Sequence, residues 1–139
     1  MKITITEDDV SIQRCFAVMS QLRPHLDAEG FVARVRRQME QGYRLAMLEA
    51  DGKVQCLAGY RVVENLAWGK HVYVDDLVTD SGGRSLGCGA AMMAWLIEEV
   101  RQQGCAELHL DSGVQRFGAH RFYLREGMDI TSHHFAMKV

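Results

Sequence analysis

The chain is short of proline, with one in 139 residues, and its 47% apolar against 24% charged residues exclude a Pro-rich linker or a disordered segment. It also lacks an excess of either charge. Sixteen basic residues face eighteen acidic ones, a net of −2, so nothing general draws the protein to nucleic acid or an anionic membrane. Any anionic ligand has to be held by local geometry. No apolar run approaches the roughly 20 residues of a membrane span, and the N-terminal MKITITEDD has no apolar signal core, which reads as a cytoplasmic protein. The four cysteines, Cys15, Cys56, Cys88 and Cys105, form no C-x-x-C pair and have no histidine at ligand spacing. Free thiols in a reducing compartment and no metal site are expected. The length fits a single domain over residues 1–139.

What is present is a clear alternation of periods. Lys2 to Thr6 alternates as a strand, and Thr6-x-x-Asp9 resembles a capping box opening a helix with Ile12, Cys15, Phe16, Met19 and Leu22 on one face. Pro24 stops it. Ala28, Phe31, Val35 and Met39 mark a second helix. Its RVRR run reads as a solvated face rather than an anion site, because residues 1–50 carry seven basic and seven acidic side chains. Asp51-Gly52 is a hairpin turn between Tyr43–Ala50 and Lys53–Val63, and His71–Thr79 adds a third strand. Cys88 to about Gln103 is a helix apolar on more than one side, stopped by Gly104. Ala106–Asp111 reads as a short strand, Phe117–Glu126 as a last helix, and Met128–Val139 as one or two closing strands.

Four glycines fall within eight residues, 82 to 89, between the third strand and the long helix. A nucleotide P-loop is excluded, because Cys88-Gly89 stands where Lys-Ser/Thr must reach phosphate and magnesium. A dinucleotide fingerprint is excluded because Met92 occupies its third glycine and the loop follows a meander rather than opening a βαβ unit. Arg84-x-x-Gly87-x-Gly89-Ala90 remains. Amides at a helix start have no intrahelical partner and carry the positive end of the helix dipole, so they bind phosphate, and Arg84 adds a permanent charge. A turn that merely connects strand to helix fits the loop alone equally well.

The context narrows the choice. VYVDDLVTD followed by Arg84-x-x-Gly87-x-Gly89-Ala90 resembles motif A of the GNAT superfamily of N-acetyltransferases, and Ala119…Tyr123…Gly127-Met128 is similar to that family's A-x-x-x-Y-x-x-x-G-F segment. The resemblance spans nearly the whole chain. It implies an α/β (α+β) fold: a mixed, mostly antiparallel central sheet with a splayed parallel strand pair, helices on both faces and the order βααβββαβαβ. It also implies acetyl-CoA as co-substrate. The amides of Ser85, Leu86, Gly87, Cys88, Gly89 and Ala90 would hold its pyrophosphate with the charge of Arg84 beside them, while Leu77, Val78 and Thr79 would bond its pantetheine arm as an added strand. A homodimer through sheet edges is common in the family. Because Leu77 shares a face with Val72 and Val74 only if one residue is inserted near Asp75-Asp76, a β-bulge is expected there.

The implied reaction is attack of an amine, from a small molecule or a peptide, on the acetyl thioester. Tyr123 matches the family's proton donor to the thiolate. The ammonium must first lose a proton, for which Asp75, Asp76, Glu64, His120 and Asp111 are candidates and Asp76 is favoured; a chain of water with no dedicated base is the alternative. Two other functions stay open: a non-catalytic acyl-CoA-binding sensor, and a transferase using a different acyl-CoA.

Overall fold

The computed structural model describes residues 1–139 apart from the side chains of Arg84 and Ser85. It comprises two compact units, Met1–His109 and Leu110–Val139. Five strands stand side by side in chain order: β1 (Lys2–Ile5), β2 (Arg44–Ala50), β3 (Lys53–Asn65), β4 (Gly69–Thr79) and β5 (Leu108–Leu110). The pairings from β1 to β4 are antiparallel, and β5 lies parallel to β4, where the Val72 N–H donates to the Glu107 carbonyl at 3.1 Å. Asp51 and Gly52 at φ 53° and 73° make the mirror-image turn that joins β2 to β3. The helices are α1 (Asp9–Arg14), α2 (Phe16–Leu22), α3 (Phe31–Met39), α4 (Cys88–Gln102) and α5 (Phe117–Arg125), with a 3₁₀ turn over Ser81–Leu86.

Side chains alternate across the strands, so each helix group finds its own face. Leu45, Met47, Leu57 and Val78 form one buried cluster with Ile12, Met19, Phe31 and Val35 of α1 to α3. The opposite face meets α4 through Met92, Met93, Leu96 and Val100, buried at helical spacing. Each such side chain stabilises the fold by about 1.5–3 kcal/mol relative to exposure.

Two local expectations are corrected. The first helix begins at Asp8, whose carboxylate accepts from the Ser11 N–H at 2.8 Å, while Thr6 instead extends the sheet by donating its hydroxyl and its N–H to the Leu45 carbonyl. That helix is also divided at Cys15. The Cys15 thiol takes the Ser11 carbonyl, and the Cys15 amide turns to Ile12, an i−3 bond that tightens the turn. The third difference lies in the second unit, where 128–139 carry no strand and Ile130, Phe135 and Met137 are exposed. Alternation supplies two faces, but a strand also needs a partner for its backbone, and residues 110–139 contain no full strand. The observed order is therefore βαααβββαβα.

The expected bulge is present in β4. Val74 stands opposite Tyr60 and Asp76 opposite Gly59, leaving Asp75 with no partner residue on β3. The extra residue turns Asp75 and Asp76 to the same face, that of α2 and α3, and returns Leu77 to the face of Val72 and Val74. Gly59 is a condition of this arrangement, because a Cβ there would lie 1.9 Å from the Tyr43 hydroxyl oxygen. Gly59→Ala should therefore displace Tyr43 and cost about 1–3 kcal/mol. Urea denaturation of the two proteins measures this, and an unchanged midpoint would show that Tyr43 moves aside freely.

Candidate active site

Beside the bulge lies a cavity of about 630 Å³ whose lining includes Arg23, His25, Arg34, Gln38, Tyr43, Arg61, Tyr73, Asp75 and Asp76. Its size suits a small molecule or a single side chain. Its polar groups form one network. Arg23 Nε donates to Asp76 Oδ1 at 2.9 Å, and the Tyr43 hydroxyl donates to Asp76 Oδ2 at 2.8 Å. Arg61 Nε donates to Asp75 Oδ2 at 2.9 Å, and its Nη2 donates to Gln38 Oε1 at 3.0 Å. A second nitrogen of Arg23 reaches the Asp75 carbonyl at 2.9 Å, fixing the bulge backbone itself. The Arg61 guanidinium lies 5.4 Å from the centre of the Tyr43 ring, over its face.

This setting acts on proton affinities. Burial raises the Asp75 carboxyl above its ordinary 3.8, and the Asp76 charge adds to that rise while Arg61 opposes it. Arg61 meets Asp75 through Oδ2, and this half-buried carboxylate is part of the cavity lining. Burial pushes the Tyr43 hydroxyl well up, reinforced by the carboxylates of Asp76 and Asp75, so it stays a donor across the working pH range.

The cofactor residues expected from the sequence are placed as follows. Leu77, Val78 and Thr79 end β4 opposite Ala58, Leu57 and Cys56, with Val78 buried in the α1 to α3 core. Leu86 is exposed, and Arg84 and Ser85 lie outside the described residues. Gly87 is the N-cap of α4 at φ 75°, a conformation that a side chain would strain, and no side chain caps this helix. The Ala91 N–H closes onto the Gly87 carbonyl, so the amides of Cys88, Gly89 and Ala90 precede the first intrahelical bond. Amides further upstream are engaged: Ser81 N–H with Gln21 Oε1, Gly82 N–H with the Asp80 carboxylate and Gly83 N–H with the Asp80 carbonyl. A 3₁₀ turn thus occupies the glycine loop, and α4 follows it without a side-chain cap.

The other proton-transfer candidates have surroundings of their own. Glu64 is exposed near the end of β3. In the second unit, Tyr123 is half-buried on α5 with its ring 5.6 Å from that of Phe122, His120 Nε2 lies 2.8 Å from the Gly113 carbonyl, and Asp111 is 3.6 Å from His134.

The model of the Acetyltransferase (GNAT) family matches residues 12–128. The chain belongs to the GNAT family of acetyltransferases. Among its relatives, YhdJ of Bacillus subtilis (strain 168), an uncharacterized N-acetyltransferase, is 32% identical over 126 residues, 89% of each chain. The aminoalkylphosphonate N-acetyltransferase of Salmonella typhimurium (strain LT2) is 30% identical over 125 residues, 88% of this chain and 79% of that one. The fold is shared with the aminoglycoside N-acetyltransferase AAC(6')-Iy in complex with CoA, at TM-score 0.84 and 14% identity over 99% of this chain and 95% of that one. This protein is an N-acetyltransferase, and acyl transfer is its chemistry.

In this GNAT enzyme the sequence reading had missed Arg23, Tyr43 and Arg61. Arg23 reads only as the residue before a helix-stopping proline, and Tyr43 and Arg61 as strand residues. The one local signal is Gly59 inside the apolar run of β3, which marks a close approach to the backbone. Among the described residues no group of three or more His, Cys, Asp or Glu could hold a metal, and no helix is long and apolar enough to cross a membrane.

A raised carboxyl makes stability depend on pH with a definite sign. Asp75 binds its proton more tightly folded than unfolded, so its favourable contribution is full below about 3.8 and is lost as pH rises through the folded value. Asp75→Asn should therefore gain stability relative to the unmodified protein as pH rises from about 3 to 7. Denaturation midpoints of both proteins at the two pH values read this directly; a difference that stays constant would mean that Arg61 cancels the effect of burial.

Proposed function

We propose that this enzyme transfers an acetyl group from acetyl-CoA to a primary amine of a small molecule or peptide, by direct attack in a ternary complex. The observation that carries the reading is the bulge, which turns two carboxylates into a cavity on the strand that leads to the uncapped start of α4.

The donor set fits acetyl-CoA. Three successive amides at the positive end of a 15-residue helix suit a diphosphate without a metal. The Val72 N–H pairs with Glu107 at the start of β5, while Leu77 to Thr79 lie beyond the bulge, where outward main-chain groups are suited to an extended amide chain. The CoA complex of a fold neighbour supports the same co-substrate. When bound, acetyl-CoA supplies an activated acetyl thioester.

The chain's own residues would do the rest. An ammonium ion has no lone pair for attack, so its proton goes to a base, and Asp75 is the suited group because it lines the cavity and burial raises its proton affinity. Asp76, favoured from the sequence, has both oxygens engaged by Arg23 and Tyr43, so its part is to hold the bulge and attract the ammonium. A main-chain N–H near Leu77 or Val78 would donate to the carbonyl oxygen as charge develops there. Tyr123 would give its proton to the departing sulfur, a role supported by its place in the Ala119…Tyr123…Gly127 segment.

Acetyl-CoA at 100 times its dissociation constant should stabilise the protein by about 2.7 kcal/mol. A thermal melt reads this, and no shift at millimolar concentration would overturn the co-substrate. Tyr123→Phe should lower kcat by about 10²-fold or more while leaving the melt shift with acetyl-CoA in place. An unchanged kcat would remove Tyr123 from the acid role, whereas tight binding with no thiol release from any amine would favour the sensor function.

A further inference from the structure

The charges lining the cavity do not balance, and the excess says what kind of amine belongs there. Asp75 and Asp76 are matched one to one by Arg61 and Arg23. Arg34, on the second turn of α3, also lines the cavity but is matched by none of the described residues, although its neighbour Arg36 pairs with Asp9 at 2.6 Å. His25, from the segment between α2 and α3, lines the cavity as well. The cavity therefore offers two kinds of group. The bulge offers carboxylate oxygen, and α3 offers a guanidinium whose five donors suit a planar or tetrahedral oxyanion.

From this layout the geometry points to an acceptor that is itself zwitterionic: a short amine carrying a carboxylate, phosphonate or phosphate, with its ammonium at Asp75 and Asp76 and its anion on Arg34. An amine with no anionic group would enter as a bare ammonium ion and leave Arg34 without a counter-charge. The assignment rests on the acetyl-transfer reading for its reaction but not for its binding, because Arg34 recognises the anion whether or not the amine is acetylated. It also revises the RVRR run. Arg36 lies on a solvated face paired to Asp9, whereas Arg34, two residues earlier, points to the cavity.

The test uses three amines of matched length: 2-aminoethylphosphonate, 3-aminopropanoate and propylamine. Each is assayed for thiol release with acetyl-CoA and, separately, for calorimetric binding to the protein without acetyl-CoA. At least one anionic amine should exceed propylamine by about tenfold or more in kcat/KM and in affinity, and the better of the two identifies the anion. In Arg34→Gln the ratio of anionic amine to propylamine should fall about tenfold, and Arg34→Lys should restore part of it. Arg34 is exposed, so these variants fold. Propylamine matching both anionic amines, or an Arg34→Gln variant with an unchanged ratio, overturns the assignment. Binding that depends on Arg34 with no thiol release from any amine would instead sink the acetyl-transfer reading while supporting the zwitterionic ligand.

Discussion

One extra residue in β4 organises the chemistry of the first unit. A regular strand would send Asp75 and Asp76 to opposite faces, one into the cavity and one into the apolar layer under α4, where an unpaired carboxylate costs several kcal/mol. The bulge puts both on the face of α2 and α3, where Arg23 and Arg61 meet them. It also restores Val78 to the core shared with Leu57, so the strand continues beyond the bulge with its apolar pattern intact. Gly59, opposite Asp76, lets Tyr43 cross the strand and hydrogen-bond the same carboxylate. Backbone register, side-chain charge and cavity are thus set together.

The two faces of the sheet use tyrosine in the same way. On one, Tyr43 donates to Asp76; on the other, Tyr60 donates to the buried carboxylate of Glu99 on α4, with Trp95 edge-on to its ring at 5.9 Å. Burial raises both hydroxyls, and the carboxylate each one meets raises it further, so each remains a donor to its partner. The consequences differ with surroundings. Tyr60 and Glu99 are buried together and tie α4 to β3, whereas Asp76 borders a cavity with a second carboxylate beside it. A hydrogen bond that only secures packing on one face positions reactive groups on the other.

A protein of net charge −2 has no general attraction for anions, yet two places in the first unit suit them. The start of α4 offers main-chain amides and a dipole, and α3 offers the guanidinium of Arg34. The two kinds of donor suit different tasks. Amides of a helix start are fixed by the backbone and would lose little freedom on binding, while an arginine on a helix surface is suited to discriminate among ligands by charge. Local geometry therefore offers an anion what overall charge does not.

The order of the five strands, the long helix α4, the hairpin at Asp51-Gly52 and the bulge were legible in the sequence because each leaves a periodic or turn-specific trace: apolar spacing, a turn dipeptide, a break in alternation. The family was legible for a related reason, since a phosphate-binding helix start needs glycines at set spacing, and Gly87 and Gly89 lie close together in the chain. The division at Cys15 and the absence of a closing strand were not, because a thiol competing for one carbonyl and the need for a backbone partner leave no mark on the period. The cavity network was hidden most completely. Arg23, Tyr43, Arg61 and Asp75 are brought together by strand register and helix packing from four separate stretches, and that packing sets which arginine meets which carboxylate. Sequence determined which elements form and what chemistry is on offer; only tertiary structure decided the pairing of charges, because that pairing is a matter of distances between residues far apart along the chain.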